Sequence, residues 1–149
     1  MPGRREVDGG VGHSFGLELD GVRVSMLTEV TGLTVERDVI EFREGGADGT
    51  QIVRKLPGRL KSGEVTLSRD LTADSAFEQW MNDVTNDVAA AAATRNAAVL
   101  VLDRQGQRVA TFTLTRAWPK KLEYAGLKAG AAEPMAERLT LVHEGIART

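Results

Sequence analysis

Phe15-Gly-Leu-Glu-Leu-Asp-Gly-Val-Arg-Val-Ser-Met26 alternates apolar and polar side chains on both sides of Asp20-Gly21. Phe15, Leu17 and Leu19 share one face, and beyond the Asp-Gly pair Val22, Val24 and Met26 do the same, with Glu18, Arg23 and Ser25 between them. A period of two is that of a strand with one buried side. Asp-Gly between two such runs is the strongest short-range hairpin signal, because the tight turn needs positive φ at both central residues. The stretch predicts an antiparallel β protein.

The same pattern recurs downstream. An extended run from Glu29 to Glu44 returns from Gln51 to Leu56 across Gly45-Gly46-Ala47-Asp48-Gly49-Thr50. Gly63–Leu71 reads as a strand with Val65, Leu67 and Leu71 on one face and Thr66 and Ser68 on the other. Val99–Leu102 and Val109–Arg116 flank Asp103-Arg-Gln-Gly-Gln as another hairpin, with Pro119 expected to limit the returning strand. Met135–His143 closes the set, with Leu139, Leu141 and His143 alternating against Arg138, Thr140 and Val142. Between these runs the period changes once. Phe77, Trp80, Met81, Val84 and Val88 fall at helical spacing, and Ser75 with Glu78 has the spacing of a capping box. These five residues form the expected core stripe of a single helix, continued by Ala89–Ala93 and ended near Thr94-Arg95-Asn96. The predicted fold is mainly β, an antiparallel barrel or sandwich-like domain carrying one α-helix.

The chain has 149 residues, which suits one domain of about 100 to 200 residues. Residues 1–14, rich in glycine and without periodicity, read as a flexible arm, leaving 15–149 as the domain. Nineteen Lys and Arg against 21 Asp and Glu argue against a nucleic-acid-binding protein. No cysteine is present, so disulfides, thiol catalysis and Cys-ligated metals are excluded. Two histidines, His13 and His143, cannot build a three-His metal site. No segment approaches the roughly 20 apolar residues of a membrane span. The two arginines near Met1 lack an apolar run behind them, so the expected location is the cytoplasm, at least until assembly.

Catalytic motifs do not emerge. Gly58–Gly63 has the glycine spacing of a phosphate loop, but Glu64 and Val65 follow where Lys and Ser or Thr are needed. His143-Glu144 lacks the second histidine of a zinc-protease helix, since position 147 is Ala. His143, alternating with leucines, reads as a partly buried structural histidine. The expectation is a non-enzyme with no catalytic, metal or cofactor-binding residues and no cofactor.

Local packing leaves one segment unexplained. Val39–Gly58 carries Glu41, Arg43, Glu44, Arg54 and Lys55 beside Phe42 and Ile52, too few apolar side chains to hold an isolated two-stranded ribbon against water. It is either a loose surface hairpin or an arm that docks on a neighbouring subunit by strand addition and charge pairing.

Here the chain resembles the inner tube proteins of contractile injection systems, which include the tail tubes of contractile phages. Glu29-Val-Thr-Gly-Leu is similar to the family's Glu-Val-Ser-Gly-Leu, and Glu41-Phe-Arg-Glu-Gly-Gly to its Glu-Tyr-Arg-Glu-Gly-Gly. Arg54-Lys-Leu-Pro-Gly with Val65-Thr-Leu-Ser-Arg, Ala117-Trp-Pro-Lys-Lys, and Glu137-Arg-Leu-Thr-Leu-Val-His-Glu-Gly resemble the later blocks. Order and spacing agree from about Phe15 to Gly145. Arg116, where asparagine is usual, and the alanine-rich run are the departures.

The resemblance implies hexameric rings stacked into a hollow tube with a continuous β-barrel wall, inside a contractile sheath. It implies homo-oligomeric contacts, partners in the sheath, the baseplate hub or spike and the tube-terminating proteins, and a lumen able to pass protein cargo. Neither specific nucleic-acid binding nor stable membrane anchoring is implied. The particle would be a phage-tail-like assembly, or a virion tail if phage-encoded. The inter-ring stacking arm would comprise Glu41, Phe42, Arg43, Glu44, Gly45, Gly46, Gly49, Arg54, Lys55, Leu56, Pro57 and Gly58. Two alternatives remain: a type VI secretion tube-like ring protein carrying effectors, and a small β-barrel ligand-binding module.

Overall fold

A computed structural model describes residues 13–61, 63–86, 94–126, 128–130, 132 and 135–149. Apart from His13 and Ser14, the expected N-terminal arm lies outside the described residues, as do Val88 and Ala89–Ala93. In chain order the strands are β1 (Ser14–Leu19), β2 (Val22–Leu27), β3 (Glu29–Thr31), β4 (Arg37–Gly45), β5 (Gln51–Leu60) and β6 (Glu64–Asp70). Helix α1 (Ala76–Asn86) follows, then β7 (Arg95–Leu102), β8 (Arg108–Ala125), β9 (Ala136–Val142) and β10 (Gly145–Arg148).

β1 and β2 form the hairpin announced by Asp20-Gly21, whose φ values of 51° and 86° are both positive as the turn requires. β7 pairs with the other edge of β1, and β8 returns against β7. The Asp103 carboxylate closes that turn by accepting from the Gln105 and Gln107 amides. The ladder then continues through β9, β6 and β3, giving the order β2-β1-β7-β8-β9-β6-β3. A single residue, Thr28, separates β2 from β3 and so carries the chain from one end of this path to the other. Its amide and hydroxyl both donate to the Ser68 carbonyl on β6. The sheet therefore curls until its two ends meet.

β8 makes the corner. Its first part, to Ala117, pairs with β7, whereas Trp118–Ala125 pairs with β9. The expectation that Pro119 would limit this strand is corrected: β8 runs on to Ala125, with Pro119 fully buried opposite Leu141. The β7 ladder has already ended, so the missing proline N–H is not needed there, and a register shift between Pro119 and Lys121 absorbs the ring. Arg116, with φ of 49°, turns the backbone just before. β9 and β10 follow β8 as one interrupted strand, broken at His143-Glu144.

Inside the curl, Leu17, Leu27, Val65, Leu67, Val99, Leu114, Leu139 and Leu141 pack with Phe77 and Trp80 of α1. The inward row of β6 does not include Leu71 as predicted. The strand ends at Asp70, leaving Leu71 exposed, and the row continues Val65, Leu67, Arg69. Arg69 is 4% exposed and stands directly opposite Glu137, which is fully buried. The guanidinium donates to Glu137 at 2.6 Å, to the Ser25 hydroxyl at 2.8 Å, and to both the carboxylate and the carbonyl of Asp74. It also lies 4.0 Å from the centre of the Phe77 ring. Strands β2, β6 and β9 and the start of α1 are thus tied at one cation.

The helix start differs from the predicted capping box. Asp74, not Ser75, accepts from a first-turn amide, that of Ala76 at 3.0 Å, while the Ser75 hydroxyl accepts from the Gln79 side chain. Glu78 is engaged elsewhere, accepting from the Tyr124 hydroxyl at 2.8 Å. Desolvation first, and Glu78 second, push the Tyr124 phenol up to about 12. Of the predicted stripe, Phe77 and Trp80 are buried and Met81 and Val84 half-buried.

Candidate assembly interface

β4 and β5 belong to no part of this sheet; they form a separate two-stranded sheet. The ribbon is longer than Val39–Gly58, reaching from Arg37 to Leu60. The charged and apolar side chains alternate along it, and the register decides which of them meet. Ile40 faces Leu56, Phe42 faces Arg54 and Glu44 faces Ile52, so these six share one face. Val39, Glu41, Arg43 and Gly45 face Pro57, Lys55, Val53 and Gln51 on the other.

Within the subunit, most of the charges of this ribbon pair across it. Glu44 meets Arg54 at 3.2 Å and Glu41 meets Lys55 at 3.8 Å, while Arg43 donates to the Gln51 side chain at 3.4 Å. All are exposed, and such pairs are worth about 0.2 to 1 kcal/mol each. They hold the register and add little stability. What sequence reasoning underestimated is the apolar content: Ile40, Phe42, Ile52 and Leu56 on one face and Val39 and Val53 on the other are all exposed. The signal was present, as the period-two spacing of Ile40 with Phe42, but the interleaved charges masked it. A two-stranded ribbon in water, apolar on both faces, is marginal by itself.

The glycines divide by role. Gly49 takes a φ of 83° at the tip, and a Cβ on Gly46 would lie 2.6 Å from the Thr50 hydroxyl. Gly58 is closed in by the Asp38 carbonyl, whereas Gly45 has open space around it. The tip is braced by Asp48, whose carboxylate accepts from the Thr50 hydroxyl and amide, bonds that hold its pKa below the usual value.

At the opposite end, two connectors join the ribbon to the body: residues 32–36 and the one to which Lys61 and Gly63 belong. The Lys61 amide donates to the Glu36 carbonyl at 2.8 Å, and its ammonium reaches Glu36 at 3.1 Å and Asp38 at 3.6 Å. The Glu36 carboxylate beside it raises the Lys61 pKa. Gly32, with φ of 90°, is pressed so close to β6 that a Cβ would collide with the Glu64 carbonyl.

The body offers little competing chemistry. A hollow of about 300 Å³ beside the helix start is lined by Ser25, Thr28, Arg69, Asp70, Thr72 and Asp74, among others. Four of the five Arg69 N–H groups are already bonded to protein. Among the described residues no group of three or more His, Asp and Glu is placed to hold a metal ion.

A family model described as the T4-like virus tail tube protein gp19 matches residues 11–147. Among solved structures, a chain of the sheath–tube complex of the PVC extracellular contractile injection system in its extended state is 20% identical. It superposes with a TM-score of 0.74 over 91% of this chain and 87% of that one. A chain of the anti-feeding prophage cap, described as tube-terminating, is 22% identical with a TM-score of 0.73, again over 91% and 87%. Hcp1 from Salmonella typhimurium is 9% identical, with a TM-score of 0.58 over 93% of this chain and 86% of that one. Identities this low speak for a shared fold. A comparison with curated proteins returns no match.

Proposed function

Because this chain belongs to the T4-like virus tail tube protein gp19 family and is a structural tube subunit, we propose that it stacks as hexameric rings into a hollow tube through the β4–β5 arm. The observation that carries this reading is a ribbon with exposed apolar side chains on both faces and its charges already paired. Water does not favour that surface; a neighbouring copy that covers both faces does. Head-to-tail contacts close each ring, and stacking along the axis leaves an open-ended polymer. Six copies supply the strands that a wide lumen needs and one copy cannot.

In this reading the tube lies within a contractile sheath, begins at a baseplate and ends at a terminator. The likeness to chains from a sheath–tube complex, a cap and a baseplate supports those partners. Its work is mechanical: sheath contraction drives a stiff conduit through an envelope, and cargo travels in the lumen. Subunits are made in the cytoplasm and assembled there into the particle. No helix among the described residues is long and apolar enough to cross a membrane. The second reading, a type VI secretion tube-like protein, draws on the Hcp1 likeness, but that superposition is looser than the one on the injection-system chain.

Deleting Glu44–Gln51 removes the tip and leaves the body untouched. The expected result is a folded subunit, by circular dichroism and thermal melt, that makes no long tubes in negative-stain images. Tubes of normal length from that deletion would end the arm assignment.

A further inference from the structure

His143 lies at the break between β9 and β10, 3% exposed, and neither ring nitrogen has a hydrogen-bond partner among the described residues. Its place is unusual. A Cβ on Gly63 would sit 3.3 Å from Nε2 of His143 and about 4.0 Å from the Thr34 hydroxyl. Gly63 ends one connector of the β4–β5 arm and Thr34 belongs to the other, so the imidazole lies beside the first connector at a point that the second also approaches. The charged groups on the surrounding elements are committed to one another. Arg116 pairs with Glu144, Lys120 with Glu64, Arg95 with Asp20 and Asp83, and Lys61 with Glu36 and Asp38. None of these carboxylates bonds to the ring.

We propose that His143 is a proton-operated latch at the root of the arm: the neutral ring packs the two connectors together, and its protonation opens them and unseats the arm. An imidazolium has two N–H donors, and burying them without acceptors or a counter-charge is strongly unfavourable, so the charged ring must reach water. Gly63, which lies against the ring, carries no side chain there. Burial holds the His143 pKa below its ordinary value of 6.5. The sign follows: the closed root is fully stable above that ordinary value and loses stability as pH falls through the depressed one. Between the two values, one proton bound only by the open form raises its population about tenfold per pH unit. The latch rests on the reading of β4–β5 as the stacking arm.

Two measurements separate the latch from that reading. The first is amide exchange in isolated subunits at residues 32–36, 61 and 63, corrected for intrinsic rates, followed alongside the His143 ring resonances from pH 8 to about pH 5. Protection at the connectors should fall in step with the ring titration in the unaltered chain, and stay constant in His143→Leu, which fills the site without a titrating group. Protection that ignores the ring, or falls equally in the Leu variant, overturns the latch. Should the variant not fold, the coincidence of the two curves in the unaltered chain decides. The second measurement is tube length by electron microscopy over the same range, expected to drop severalfold on acidification. Connectors that open while tubes persist would overturn the arm reading, and with it the unseating of the arm, while the opening of the connectors by the His143 proton would still hold.

Discussion

Arg69 bonds to Ser25, Asp74 and Glu137 at once, so removing it leaves polar groups from three parts of the chain without their partner. A buried arginine–carboxylate pair gains little over apolar residues of the same shape, but removing one partner leaves an uncompensated charge. Arg69→Met is therefore expected to lower stability by about 3 to 5 kcal/mol, because Glu137 is fully buried and one of its oxygens has no hydrogen-bond partner even in the intact protein. Arg69→Met combined with Glu137→Leu should recover most of that loss. Urea unfolding of both variants checks this, and an additive double variant would show that the pair is not coupled. The alternation that put Val65, Leu67 and Leu71 on one face places Arg69 on that face too, but the carboxylate that receives it there was not legible, since it lies 68 positions away. Leu71, which the alternation placed in the core, lies beyond the strand end and stays exposed.

Elements were legible wherever a local pattern decides them. Asp20-Gly21 and Asp103–Gln107 announce their turns by residues that favour those backbone angles, and both turns are present. The helix was legible through its period. Trp80 is 3% exposed and packs in the common core, so Trp80→Ala should cost roughly 3 to 5 kcal/mol of subunit stability, measured as a lowered melting temperature. An unchanged melt would place the indole outside the core. What defeated local reading was competition from far along the chain. The predicted capping box loses Glu78 to Tyr124, and Pro119 is tolerated because its strand has just exchanged one neighbour for another. In the arm, the pairing of Glu44 with Arg54 and of Glu41 with Lys55 depends on a register that the sequence did not show.

For the whole molecule, the mainly β class, with one helix among the described residues, followed from periodicity, but the way the sheet meets itself at Thr28 did not, since one residue between two short strands carries no pattern. The absence of cysteine and the unsupported ribbon fit a subunit whose missing stabilisation comes from copies of itself. Binding of folded subunits to one another removes them from the unfolding equilibrium, so Tm should rise with protein concentration in the intact chain. Without Glu44–Gln51 that dependence should weaken. Scanning calorimetry over a hundredfold concentration range tests it, and a flat response in the intact chain would count against assembly.

The closed root has a consequence for load. A hairpin pulled apart at its open end fails like a zipper, one rung at a time. Here Lys61, bonded to Glu36 through backbone and side chain and to Asp38, clasps that end shut. A pull between tip and root then runs along two covalent backbones side by side, with no rung bearing it alone. The ribbon resists as a two-ply cord, with the root pairs keeping the two plies level.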